Sequence, residues 1–214
     1  ERLAQTGASL TSKDVLAAIA GALQKRPATE ARLRLTFSPP RLFVSTEPFS
    51  PLPEVLYAEG VSCITLGLHR DHPGAKDTRF ISTAAAAYAQ LPLGVHEGLM
   101  LGEDGAILEG LTSNVFFVVR GGLRTEDARA LPGVTRSIVL EVASALFTVA
   151  KDPVHLQELG DIDECFLTSV SRGILPVVRI NGGTIGEGRP GNATKALRTR
   201  FEAVVEREAV PAVP

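Results

Sequence analysis

Cysteine is scarce in this chain of 214 residues: only Cys63 and Cys165 are present, far apart and at no metal-ligand spacing. That excludes a disulfide scaffold and fits a reduced, cytoplasmic protein whose two thiols belong to the core. A surplus of either charge is also missing. The formal net charge is -2 with acids and bases interspersed, which excludes the basic stripe of a nucleic-acid binder and a long acidic tail. No apolar run approaches a membrane span, and the N-terminus lacks the charged-then-apolar pattern of a signal peptide, so a soluble chain is expected. There are no internal repeats, no low-complexity tracts and no G-x-S-x-G elbow, which leaves a serine hydrolase without support. What is present is 44% hydrophobic residues, enough for a real core in one large domain or two small ones. The expected partner is a small molecule or a protein.

Local patterns place the elements. Thr11-Ser12-Lys13-Asp14 reads as a helix N-cap, followed by the helical series Val15, Leu16, Ile19, Ala20 and Leu23. Leu33, Leu35 and Phe37 alternate with polar residues as in a strand, and Leu42–Val44 follows Pro39-Pro40 as a second. Prolines crowd the segment 48–53, a stiff connector that divides a small α/β domain, 1–47, from a large domain, 54–214. Beyond it the sequence predicts a strand at Val61–Leu66 and a helix at Ser82–Gln90. A hairpin is expected around Glu103-Asp104-Gly105 and a strand at Val115–Val119. A helix over Ser137–Phe147 has Ile138, Val142 and Leu146 on one face. Strands at Glu164–Thr168 and Val177–Ile180 precede a last helix carrying Ala193, Leu197 and Phe201.

Two residues stand out against their ordinary readings. Most lysines are solvated surface charges, but Lys76 lies where a loop rich in His, Asp, Pro and Gly meets a helix, in a chain where arginine greatly outnumbers lysine. Glu109 ends the second strand of the predicted hairpin, where a carboxylate can project from a rigid sheet; its ordinary reading is a solvated turn glutamate. Gly133-Val134-Thr135, just before an amphipathic helix, offers backbone N–H groups at the positive helix end. By itself that is an ordinary loop and cap.

Other patterns carry less. Gly186-Glu187-Gly188-Arg189-Pro190-Gly191 fits G-x-G-x-x-G, but it lies near the chain end with no βαβ unit to complete. His69, Asp71 and His72 share one Pro/Gly loop with no further acidic or His cluster to make a metal site. Asn192-Ala193-Thr194 is a glycosylation sequon only in a secreted protein.

Taken in order, the runs E-G-L-T-S-N-V-F-F (Glu109–Phe117), L-P-G-V-T-R (Leu131–Arg136) and L-T-S-V-S-R-G-I-L-P-V (Leu167–Val177) resemble the fold type IV pyridoxal-phosphate enzymes. That family includes branched-chain aminotransferases, D-amino acid aminotransferases and aminodeoxychorismate lyase. The resemblance runs from Arg2 almost to the C-terminus. It implies a mixed α/β, two-domain fold of the branched-chain aminotransferase type, and pyridoxal 5'-phosphate as cofactor. Lys76 then matches the lysine that carries the Schiff base, and Glu109 the glutamate facing the pyridine nitrogen. Val134, Thr135, Ser169 and Val170 match the phosphate-gripping positions, Arg2 the phosphate-binding arginine of H-x-x-R-L, and Ser171 a substrate-carboxylate contact.

The chemistry requires these residue types. A lysine amine forms an imine and then moves a proton between the substrate α-carbon and the cofactor. A carboxylate beside the pyridine nitrogen keeps the ring an electron sink. The chain departs from the family at Val170, where relatives often carry threonine, and at Ile81, where branched-chain members place tyrosine. It opens at Glu1 without methionine, and the match at Arg2 implies that the first strands of a typical small domain lie outside these residues.

The function implied is transfer of an amino group from an amino acid, an L-amino acid and branched-chain by analogy, to a 2-oxo acid in a homodimer. Nucleic acid and membrane are not expected partners. The alternatives are a lyase of the aminodeoxychorismate lyase type and, from a different class, a catalytically silent scaffold that keeps the fold.

Overall fold

The computed structural model describes residues 10–25, 30–76, 78–209 and 211. They fall into two compact units, the first from the described residues up to Pro51 and from Glu208 onward, the second from Leu52–Arg207.

In the first unit, helix α1 (Ser12–Lys25) starts with a reciprocal cap. The Asp14 N–H donates to Thr11 Oγ1 at 3.2 Å and the Thr11 N–H to Asp14 Oδ2 at 3.0 Å, so two donors at the helix start are satisfied. Strands β1 (Ala31–Ser38) and β2 (Arg41–Pro48) form an antiparallel hairpin closed by Pro39-Pro40. The second strand is longer than its apolar run, because Thr46 and Glu47 pair with Leu33 and Arg32.

The second unit opens with a short helix α2 (Glu54–Glu59), which sequence periodicity does not flag, and β3 (Val61–Leu66). Helix α3 (Arg79–Tyr88) begins three residues before the predicted Ser82. Then come β4 (Val95–Leu101), β5 (Ala106–Gly110), β6 (Asn114–Val119) and β7 (Gly122–Arg124). Helix α4 (Val134–Ala143) precedes the two-residue strands β8 (Val149–Ala150) and β9 (Val154–His155). The unit closes with β10 (Glu164–Ser169), β11 (Gly173–Ile180), β12 (Gly183–Thr184) and helix α5 (Asn192–Glu208). Its strands make one sheet in the order β8-β7-β6-β10-β11-β3-β4-β5-β9, with β12 paired to β11. Most neighbours are antiparallel, but β3 runs parallel to both β4 and β11, and β7 runs parallel to β8.

The central strands are buried on both faces, which is why β6 reads as an unbroken apolar run rather than an alternation. Val115, Phe117, Cys165 and Leu167 point to one core with Val61, Leu99 and Leu175. Phe116, Val118 and Phe166 point to the other, beneath Val139 and Ala143 of α4 and Leu197 and Phe201 of α5. Both cysteines are free and buried, and burial pushes both thiols up in pKa. Among the described residues no helix is long and apolar enough to cross a membrane.

Helix α4 corrects the sequence reading. It spans Val134–Ala143 rather than Ser137–Phe147, and its buried stripe is Thr135, Arg136, Val139 and Ala143. Ile138 and Val142 only flank the core, and Leu146 is exposed beyond the helix end. The first turn is held down by a charged residue, Arg136, that an apolar period does not register.

Candidate active site

The turn between β5 and β6 organises the site. Glu109, on β5, is 2% exposed rather than a solvated turn residue. Its Oε1 accepts from Arg70 Nε at 3.1 Å, and its Oε2 from the Leu131 N–H at 3.0 Å and from Asn114 Nδ2 at 3.3 Å. Burial raises the Glu109 pKa; the Arg70 guanidinium and the Leu131 N–H oppose it. An ionised carboxylate offers about four acceptor positions, and among the described residues three donors reach this one. One position is left for an incoming N–H.

Asn114 connects this carboxylate to the loop before α4, since its Nδ2 also donates to the Leu131 carbonyl at 2.7 Å. Its Oδ1 lies where a side chain on Gly133 would be, 2.3 Å from the position of a Cβ there. Only glycine lets the loop approach so closely. The loop delivers α4, whose N-cap Gly133 makes no side-chain capping bond. The N–H groups of Val134 and Thr135 therefore lie at a helix start, where no intrahelical acceptor serves them. Arg136, buried, donates to the Glu126 carbonyl at 2.9 Å and to Asp127 Oδ1 at 2.8 Å, anchoring that first turn.

Helix α5 is built the opposite way. Glu164 accepts from the Ala193 and Thr194 N–H groups at 2.9 and 2.7 Å, and a side chain on Gly191 would collide with that carboxylate. The G-x-G-x-x-G run thus leads to a helix start already filled by the protein's own anion.

Cross-strand register brings the third run alongside. Thr168 on β10 pairs with Asn114 on β6, so both lie on the face covered by α4, and Thr168 Oγ1 is buried without a hydrogen-bond partner among the described residues. Ser169 ends β10, and Val170-Ser171-Arg172 form the turn into β11. Val134 and Val170 are 69% and 84% exposed, so the two loops present apolar side chains outward.

Lys76 lies exposed in the loop between β3 and α3. The same loop is tied to Glu109 by Arg70, whose guanidinium also stacks over Phe80 of α3 at 4.0 Å. The structure therefore draws Glu109, Val134, Thr135 and Ser169 to one end of the sheet and tethers the Lys76 loop to the same carboxylate. Arg2 lies outside the described residues. Arg70, Asn114, Arg136, Glu97 and Arg172 are the residues the sequence reading left without a role. Asn114, Arg136 and Arg172 stand inside its three motifs, which was their only signal.

The family model for amino-transferase class IV matches residues 1–180. The branched-chain-amino-acid aminotransferase of Pseudomonas aeruginosa is 28% identical over 151 residues, 67% of this chain and 49% of that one. That of Salmonella typhimurium is 36% identical over 111 residues, 50% and 36% of the two chains. The chain spans about half the length of the curated relatives it matches. Among solved structures, the T.th. branched-chain amino acid aminotransferase with pyridoxamine 5'-phosphate superposes with TM-score 0.69 at 28% identity, covering 78% of this chain and 58% of that chain. The Thermoproteus uzoniensis enzyme, solved with norvaline, gives TM-score 0.77 at 23% identity over 92% and 72%, a likeness of fold. With the three ordered motifs gathered at one end of a shared fold, this chain belongs to the class IV aminotransferase family.

Proposed function

We propose that this chain moves an amino group from an L-amino acid to a 2-oxo acid, with pyridoxal 5'-phosphate as cofactor and Lys76 as the amine that attaches it. The observation that carries the reading is Glu109: a buried carboxylate with one acceptor position to spare, beside a helix start that no side chain caps. The residues present fit the cofactor at both ends. Glu109 would accept from the ring nitrogen, and the Val134 and Thr135 N–H groups with Ser169 and Val170 would hold the phosphate.

When bound, the cofactor supplies an electron sink for negative charge at the substrate α-carbon. Lys76 takes the proton from that carbon through Nζ and returns it, serving as base and then acid. Burial raises the Glu109 pKa and the Arg70 guanidinium opposes that rise, favouring the charged form that would accept from the ring nitrogen. Val170 contributes its backbone N–H only, having no hydroxyl, and Ser171 faces the substrate carboxylate. A homodimer is the proposed assembly.

The test is an absorbance titration with pyridoxal phosphate, then borohydride reduction and peptide mapping. A reduced adduct on Lys76 is expected, and Lys76→Ala should lower transamination by about a thousandfold or more. No adduct in a folded sample would turn the reading to a silent scaffold. Pyruvate released from aminodeoxychorismate without any 2-oxo acid would assign the lyase reaction.

A further inference from the structure

A second buried carboxylate lies beside the site. Glu97 of β4 is 0% exposed, and its Oε2 accepts from the Thr112 hydroxyl at 2.7 Å, the Ser113 hydroxyl at 3.0 Å and Arg172 Nη2 at 3.0 Å. The Gly98 N–H reaches its Oε1 at 3.2 Å. Arg172 belongs to the β10–β11 turn, and it is tied there at several points. Its Nη2 also meets Thr112 Oγ1, its Nε donates to Ser169 Oγ at 3.2 Å, and its carbonyl accepts from the Tyr57 hydroxyl at 2.9 Å.

Donor and acceptor roles are forced here, because a carboxylate only accepts and a guanidinium only donates. The Thr112 and Ser113 protons are committed to Glu97. Ser169 is different: its oxygen receives the Arg172 Nε–H, so its own proton remains to be given elsewhere. It sits at the start of the turn that carries the Val170 and Ser171 N–H groups.

We propose that Glu97 and Arg172 are positioning residues that clamp the β10–β11 turn and make Ser169 a dedicated hydrogen-bond donor toward the cofactor phosphate. This rests on the assignment of that phosphate to the turn. The clamp replaces a freely rotating hydroxyl and a mobile turn with donors of fixed direction, lowering the ordering cost of binding an anion.

The test separates the clamp from mere stability. Arg172→Met alone leaves Glu97 buried without its partner and should lower Tm strongly. The Glu97→Gln/Arg172→Met double variant removes both charges, a change that is often close to neutral for folding. The expected result is a double variant with Tm near wild type, faster amide exchange at 169–173 without cofactor, and pyridoxal phosphate affinity reduced by about tenfold or more, on the scale of a lost charge-assisted hydrogen bond. Ser169→Ala should reproduce much of the affinity loss with no change in exchange. Wild-type affinity or unchanged exchange in the double variant overturns the clamp. No binding of pyridoxal phosphate by the wild-type chain overturns the phosphate assignment itself, and with it the role given to Ser169.

Discussion

Glu97 and Glu109 sit on adjacent strands, and both are almost wholly buried, yet they are finished differently. Glu97 receives four donors: a backbone N–H, two hydroxyls and a guanidinium. Glu109 receives three among the described residues, and burial leaves its pKa raised despite Arg70. Three of the Glu97 donors converge on Oε2, from the Thr112 and Ser113 hydroxyls and from Arg172, which makes this carboxylate a structural tie between two turns. Glu109 has one donor on Oε1 and two on Oε2, and it lies where the Arg70 loop and the Leu131 loop meet, which suits it to hold a ligand. The E-G-L-T-S-N run serves both, because Glu109 and Asn114 complete one cluster while Thr112 and Ser113 close the other. Gly110 stands between them, and a side chain there would lie 2.3 Å from Ser113 Oγ and 3.0 Å from Glu97 Cγ.

If the contrast is right, Glu97→Ala has the largest effect on folding. It strands the Arg172 guanidinium and should cost about 3–5 kcal/mol in a denaturant melt. A loss below about 1 kcal/mol would break the comparison. Glu109→Gln should act the other way, lowering turnover by roughly a hundredfold, the scale of a lost electrostatic contact in a site, while cofactor-free Tm changes little. Steady-state rates beside a melt decide it.

Gly110→Ala should come next, at about 1–3 kcal/mol, the usual range for forcing atoms into a packed site. Gly133→Ala should displace Asn114 and reduce cofactor affinity more than stability, which calorimetry and a binding titration separate. The smallest effect is in pH. Because burial raises Glu109 above its ordinary 4.5, its contribution to stability is full below that pH and is lost as pH rises through its folded pKa. The melting temperature of Glu109→Gln relative to wild type should therefore improve between acid and neutral pH. An unchanged difference would mean that Arg70 already offsets the burial.

Much of this was readable from residue order. Alternation and helical period locate most elements to within a few residues, and the resemblance carried by the three motifs singles out Glu109, inside the first of them, and Lys76, upstream of it. The failures have specific causes. Helix α4 was shifted because its first turn is fixed by Arg136 bonding to Glu126 and Asp127, a polar anchor invisible to hydrophobic period. The strands β7, β8, β9 and β12 are only two or three residues long, too short for a period to register.

The sequence by itself determined the mixed α/β class, the buried core strands and the chemical types available for the site. Local propensity and apolar pattern act within a few residues, and so does a linear reading. Tertiary structure alone decided which glutamate is sealed and which is left open, that α5 is capped by Glu164 while α4 is not, and that Arg172 reaches back to Glu97 across the sheet. Those outcomes depend on partners far apart in the chain, whose meeting is set by strand order and register rather than by neighbouring residues.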